Sequence, residues 1–215
     1  PIKPGYVRPL DLKQGRIDLT HGAGGRASHQ LIHEVFQPAF ARTWPQVNGQ
    51  PWQPGSDDGT VLPMPDDLPA GHRLVLSTDA HVVSPLFFPG GDIGHLAVHG
   101  TVNDLAMMGA TPLHLTVSVI LEEGLPLPDL VRIARSMADA ACEAGVAIVT
   151  GDTKVVERGK GDGIYISTAG LGWVAPEVRL SGQNAQVGDA IVLSGPIGEH
   201  GMAVLSQREG LQFES

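Results

Sequence analysis

A single cysteine, Cys142, occurs in 215 residues, so no intrachain disulfide can form and a zinc site built mainly of thiolates is excluded. Long apolar runs are missing too. The chain opens with Pro1-Ile2-Lys3-Pro4, and no segment reaches the length of a signal peptide or a membrane-spanning helix; the expectation is a cytoplasmic protein with no membrane partner. Positive charge is scarce: 14 Lys and Arg stand against 23 Asp and Glu, for a net charge of −9. That balance argues against non-specific nucleic-acid binding and suits carboxylates that hold cations. No P-loop, no dinucleotide-binding glycine fingerprint after a strand and no serine nucleophile elbow occur.

What is abundant is glycine, 28 residues without a strict period, which implies many tight turns and close backbone approaches. The apolar fraction of 42% is that of a globular protein, and the length allows one sizeable domain plus part of another. A Gly-rich segment ending in His21-Gly22-Ala23-Gly24-Gly25 leads to a helix expected from Ser28 as N-cap through Phe36. Residues 44–69 read as a long loop around Asp57-Asp58-Gly59, with a short strand at Thr60–Leu62. Arg73 to Thr78 is expected as a strand that delivers Asp79 at its end. Asp92 should cap a helix ending near Met108, with Gly109 after it. Leu113–Ile120 is a strand, Asp129–Ala144 an amphipathic helix stopped by Gly145, Val146–Thr150 a short strand before Asp152, and Ile164–Trp173 another strand. The order is helix, strand, helix, strand, helix, strand, strand: an α+β layer with right-handed crossovers. Near Pro176 the texture changes, and Ala190–Leu193 with the loop from Gly195 to Gly201 reads as the start of a new domain.

The chemistry centres on acidic residues. On a helical period Asp104 falls on the apolar face formed by Ile93, Leu96, Ala97, Gly100, Thr101, Leu105 and Met108. A carboxylate there needs a partner or a metal, because an unpaired buried charge is costly; a hydrogen bond to a neighbouring backbone would serve equally. Asp79, Asp152 and Asp57-Asp58 stand at strand ends or in loops, where α/β sheets collect ligand groups. Several carboxylates suit Mg²⁺, and Lys154 adds the point charge that suits a phosphate. The Gly22–Gly25 loop could turn backbone N–H groups to a phosphate, or be a simple turn. His95 and His99 stand four residues apart, as metal pairs do, but without the glutamate of a zinc-protease motif they read as polar helix positions. Cys142 reads as a small buried residue rather than a nucleophile.

Five strings carry a family resemblance: HGAGG at His21–Gly25, Thr78-Asp79, FFPGGDIG at Phe87–Gly94, GTVNDLA at Gly100–Ala106 and GDTKVVERG at Gly151–Gly159. Together they resemble the HypE family of hydrogenase maturation proteins, within the superfamily of aminoimidazole ribonucleotide synthetase, selenophosphate synthetase and thiamine-monophosphate kinase. The resemblance runs over almost the whole chain, and the FFPGGDIG and GDTKVVERG strings are specific to this family.

The resemblance implies a PurM-like N-terminal domain over residues 1–175, which binds ATP and pairs through its sheet as a homodimer. Residues 176–215 would begin a PurM-like C-terminal domain. It further implies a carbamoyl dehydratase: a C-terminal cysteine receives a carbamoyl group from HypF, ATP activates the carbamoyl oxygen, and dehydration leaves a thiocyanate. The cyanide then passes to iron held by HypC and HypD for the NiFe hydrogenase. By position, Asp58, Asp79, Asp104 and Asp152 would serve Mg²⁺ and the phosphates, with Asp57 beside them. Lys154 would contact phosphate, with Asn103, Thr153 and Glu157 in support. Gly59-Thr60 follows the Asp57-Asp58 pair where superfamily members usually carry alanines. The sequence ends at Ser215 without the terminal cysteine, so no catalytic residue is expected within it and the chain reads as a piece that is inactive alone. Two other readings stay open: a non-catalytic dimerisation module, or another ATP-dependent enzyme of the superfamily such as a selenophosphate synthetase, whose N-terminal reactive cysteine is lacking here.

Overall fold

The computed structural model describes residues 9–22, 25–47, 50–51, 70–181 and 184–210. Asp57, Asp58 and the strand expected at Thr60–Leu62 lie outside the described residues.

The first helical stretch is longer than its sequence signals. A 3-10 turn at Leu19–Gly22 precedes α1 (Arg26–Leu31), a π-helical turn continues it over Ile32–Phe36, and α2 (Gln37–Phe40) and a 3-10 turn at Ala41–Thr43 complete it. Ser28 is not the N-cap. Gly25 holds that position with an extended backbone, and Ser28 lies buried in the first turn, its hydroxyl donating to the Thr20 carbonyl at 3.3 Å. A two-residue ladder pairs β1 (Gln46–Val47) with β2 (Gln50–Pro51).

The main sheet is built from β3 (Arg73–His81), β6 (Thr111–Glu122), β7 (Ala147–Val156) and β8 (Ile164–Val174). A second short ladder, β4 (Phe87–Phe88) with β5 (Gly91–Asp92), leads into α3 (Ile93–Met107). Strand order is β3-β8-β6-β7, with β8 antiparallel to both its neighbours and β6 parallel to β7. The parallel pair is joined across α4 (Leu127–Ala144), as parallel strands require a crossover. The expected order of elements is therefore observed.

Helix signals act where expected. The Asp92 carboxylate caps α3 by accepting from the N–H groups of Gly94 and His95 at 2.8 and 3.0 Å. Gly145 closes α4 in the left-handed conformation, φ +67°, which glycine adopts without a Cβ penalty. On α4, Leu130, Ile133, Ala134, Met137 and Ala141 are all buried, the face that the 3.6-residue period marks. Each fully buried large side chain contributes about 1.5–3 kcal/mol over leaving it in water.

The two helices lie on one face of the sheet, α3 against β3 and β8 and α4 against β7. The other face carries Leu74 and Leu76, 61% and 73% exposed, beside the half-buried Leu171 and Trp173 that are their register partners on β8.

Three expectations fail here. Asp104 does not lie in the buried stripe of α3: it is exposed, as is Met108, and the buried set is Ile93, Gly94, Ala97, Val98, Thr101 and Leu105. Asp104 keeps the helical phase of buried Ile93 and Ala97, but it stands in the last turn of α3, where its carboxylate meets Ser77 at the exposed border of the sheet. Cys142 is exposed, not buried; its helical position lies past the edge of the face that Ala141 buries. Ala190–Leu193 forms no strand, since no described segment lies beside it to pair, and Ile191 is fully exposed. The loop expected from Gly195 to Gly201 instead leads into α5 (Glu199–Glu209), which docks through Arg208, whose guanidinium donates to the Ser84 carbonyl at 3.0 and 2.7 Å. Among the described residues no helix is long and apolar enough to cross a membrane.

Candidate functional site

The site residues divide into two groups. Asp79 lies inside β3 rather than after it, in register with Thr168, which in turn faces Val117. Thr168 is buried and its hydroxyl meets the Ala97 carbonyl and the Thr101 hydroxyl of α3, so this row of the sheet points at the helix. Asp79 therefore faces α3. One carboxylate oxygen accepts from the Ala80 N–H at 2.7 Å and the other stands 3.1 Å from Nε2 of the buried His81. Gly100 makes the room: a Cβ there would stand 2.6 Å from His81 Nε2 and 3.2 Å from Asp79 Oδ2.

One helical turn beyond Gly100, Asp104 accepts a hydrogen bond at 2.9 Å from Ser77, two residues before Asp79 on the same strand face. Asp79 and Asp104 are thus neighbours at the β3–α3 edge. Asn103, also exposed, adjoins them on α3. Each carboxylate is partly open to solvent and keeps acceptor capacity, the donor chemistry that suits a hard divalent cation.

Asp152 and Lys154 are elsewhere. Their register partners are Ser118 and Ile120, whose own partners on β8 are Ser167 and Tyr165, on the face of the sheet away from the helices. They also lie on β7, the opposite edge from β3. At about 4.8 Å per strand the two groups stand three spacings, roughly 14 Å, apart. One chain does not gather Asp79, Asp104 and Asp152 into one cluster. Asp152 lies within β7, which continues past the strand end expected at Thr150 because its ladder with β6 runs on to Val156. Lys154 Nζ sits 3.0 Å from both oxygens of Asp152, and both side chains are largely exposed. Thr153 is half-buried on the alternate face, and Glu157 is exposed just past the strand. Asp58 and Asp57 lie outside the described residues.

What the Asp152–Lys154 stretch does meet is the glycine loop. Gly22 lies so near β7 that a Cβ would stand 2.4 Å from the Val155 nitrogen. Between α1, the π-helical turn and the free edge of β7 runs a cleft of about 310 Å³, bordered by Gly22, His29, His33, Asp152, Thr153 and Lys154. The two histidines carried no signal in the sequence, because only the irregular helix turns them to the strand edge. Before the loop, His21 is buried and its Nδ1 accepts from the Asp18 N–H at 3.1 Å. The Thr20 hydroxyl's hydrogen bond holds the Asp18 carboxyl below its ordinary value; slight burial opposes this, while the Thr20 N–H and His21 add to it.

A four-stranded mixed sheet with helices on one face, Gly22 against an edge strand and carboxylates at its borders defines the class of this α+β domain. The chain belongs to the AIR synthase related protein family: the model of that family's N-terminal domain matches residues 56–174. Within it, the chain is 58% identical to carbamoyl dehydratase HypE of Cupriavidus necator, over the whole of this chain and 58% of that protein. A crystal structure of hydrogenase maturation protein HypE in complex with ATP superposes with a TM-score of 0.79 at 47% identity, over 91% of this chain and 54% of that one. A HypE–HypF complex structure matches at TM-score 0.64 and 58% identity, over 66% of this chain and 47% of that one. The HypE resemblance and the PurM-like fold are thereby shown. The chain spans about half the length of these relatives.

Proposed function

We propose that this chain is the nucleotide-handling part of a HypE-type carbamoyl dehydratase, which uses ATP to dehydrate an S-carbamoyl cysteine to a thiocyanate for the cyanide ligands of a NiFe hydrogenase. The observation that carries the reading is the cleft where the Gly22 loop meets Asp152, Thr153 and Lys154, a glycine-lined edge whose one lysine suits a phosphate oxygen. The HypE relative bound to ATP supports it. Lys154 would leave Asp152 for a phosphate oxygen, with the Thr153 hydroxyl and Glu157 as supporting polar groups at that edge and Asn103 in support at the acidic pair.

Asp79 and Asp104 at the β3 edge, and separately Asp152 at the β7 edge, are together with Asp58 the carboxylates that would hold Mg²⁺. One ion cannot span the two edges, so each edge would take its own or act with a second copy of the chain. An ion bound at the phosphates would neutralise their charge and leave the terminal phosphorus open to a carbamoyl oxygen. His81 holds Asp79 in place, and Ser77 does the same for Asp104. In this reading residues 1–175 form the ATP-binding and dimerisation domain, and 176–215 open a second domain. The apolar outer face around Leu74 and Leu76 would be the homodimer interface. HypF would deliver the carbamoyl group and a HypC–HypD complex would accept the cyanide, in the cytoplasm.

Calorimetric titration of the purified chain with Mg-ATP tests the reading. Saturable heat at one site per chain is expected. No heat from a chain that is a stable dimer by light scattering would favour a non-catalytic dimerisation module instead.

A further inference from the structure

His95 and His99 lie one turn apart on α3, with ring centroids separated by 4.2 Å. Glu143, at the end of α4, faces them because α3 packs tightly on α4 at Gly94, where a Cβ would stand 2.6 Å from the Ile133 carbonyl oxygen. Nε2 of His99 is buried and makes no hydrogen bond, and Oε2 of Glu143 is 3.8 Å away. That gap is too long for a hydrogen bond, so a ring nitrogen is withdrawn from water without a hydrogen-bond partner.

One ligand atom from each of the three residues lies within 4.8 Å of the others. Ligands held at about 2.0–2.1 Å in a tetrahedral zinc site stand roughly 3.3–3.4 Å apart, so only a modest closure is needed. The Glu143 side chain, 74% exposed, is free to provide it. Burial, with the charge of His95, pushes the His99 ring below its ordinary pKa against the pull of Glu143, which keeps it in the neutral form that binds metals.

We propose that His95, His99 and Glu143 form a binding site for a divalent transition-metal ion of the zinc class. Two imidazoles and one carboxylate match that class and not Mg²⁺, which prefers oxygen donors. Three protein ligands leave a fourth position for water. The site is separate from the acidic pair at Asp79 and Asp104: Gly100 and Asp104 face β3, while His95 and His99 face α4.

The test is calorimetric titration of the EDTA-treated, untagged chain with Zn²⁺, followed by the visible spectrum of its Co²⁺ form. One ion per chain is expected, with the ligand-field bands of a low-coordinate cobalt site. His95→Ala and His99→Ala should each weaken binding by at least about tenfold, the loss of one coordinating contact. Glu143→Gln, an exposed change that leaves the helices intact, should weaken it by roughly three- to tenfold on the same scale. Zinc should raise the melting temperature of the parent, since a ligand of the native state stabilises it, and raise that of Glu143→Gln less. Asp79→Ala should bind zinc like the parent. Absence of stoichiometric Zn²⁺ binding, or unchanged affinity in Glu143→Gln and in whichever histidine variant folds, would overturn the proposal. Loss of zinc in Asp79→Ala alone would place the ion at the acidic pair and overturn it equally.

Discussion

At the scale of single residues, the carboxylates do different work from what their shared residue type implies. Asp79 is held by His81 against α3, whereas Asp152 is held by Lys154 on the far edge and the other face of the sheet. If both serve Mg-ATP, Asp79→Ala and Asp152→Ala should each weaken its binding by about ten- to a hundredfold, the range for losing a charge-assisted contact, with circular dichroism unchanged. Parent-like affinity by calorimetry in either variant would remove that residue from the site. The types and spacing of these residues were legible in the sequence. Their partition was not, because it depends on strand order and on which face each strand position takes, and neither is encoded locally. Asp104 is the clearest case: a helical period places it in phase with buried Ile93 and Ala97, but only the length over which α3 is covered decides that its last turn is open to solvent. A second prediction concerns Asp18. Its pKa is depressed in the folded chain, so the unfolded state takes up protons first as pH falls. The Thr20 contact therefore contributes stability above the ordinary value of 3.8, and that contribution is lost as pH drops from 3.8 through the lower folded value. An NMR titration should give an Asp18 midpoint below 3.8 that returns towards it in Thr20→Val; an unmoved midpoint would assign the shift to another cause.

At the scale of elements, the helices differ in how far their sequences describe them. Helix α4 packs along one face only, so its periodic Leu130, Ile133 and Met137 predicted its core side directly. The covered arc of α3 includes Gly94, Ala97 and Thr101 among its apolar residues, and its pattern is correspondingly blurred. What fixes α3 is a small residue: the space at Gly94 is filled by the Ile133 carbonyl and by Met137 Cγ, 2.6 and 2.9 Å from where a Cβ would stand. Gly94→Ala should gain up to about 1 kcal/mol of helix propensity and lose about 1–3 kcal/mol to forced separation of the helices. A net fall of several degrees in melting temperature is expected, together with weaker metal binding at His95, His99 and Glu143 if that site depends on the helix spacing. A melting temperature equal to or above the parent's would show that the contact relaxes freely. In β7, the turn chemistry of Gly151 read as a strand end, yet Gly151 is needed inside the strand: a Cβ there would stand 2.2 Å from the Val117 carbonyl oxygen. Glycine signals close approach as readily as it signals a turn, and sequence does not separate the two.

At the scale of the whole molecule, one face of the sheet has no cover among the described residues. Leu74 and Leu76 on β3 and their register partners Trp173 and Leu171 on β8 form an apolar surface patch; Ile120 on β6 lies farther along the same face beside Tyr165, beyond Ser118 and Ser167, and has Lys154 beside it on β7. A contiguous exposed patch of this kind marks an interaction site more often than a solvated surface. If the interface is between two copies, an isologous contact, each copy presents the same patch to the other. Leu76 is 73% exposed, so its replacement by Asp removes almost no burial within the chain, while in a dimer it sets a carboxylate into the apolar contact of both copies. The parent should run as a dimer in light scattering, and Leu76→Asp as a monomer with an unchanged circular dichroism spectrum. Because Lys154 borders the same face, Mg-ATP affinity should fall with the dimer if the nucleotide lies near the interface. A monomeric parent, or a Leu76→Asp chain that remains dimeric, would assign the sheet face to a different partner. A monomeric variant that keeps full ATP affinity would instead separate the two functions, leaving the β7 cleft complete in one chain and the acidic pair on β3 with a task of its own.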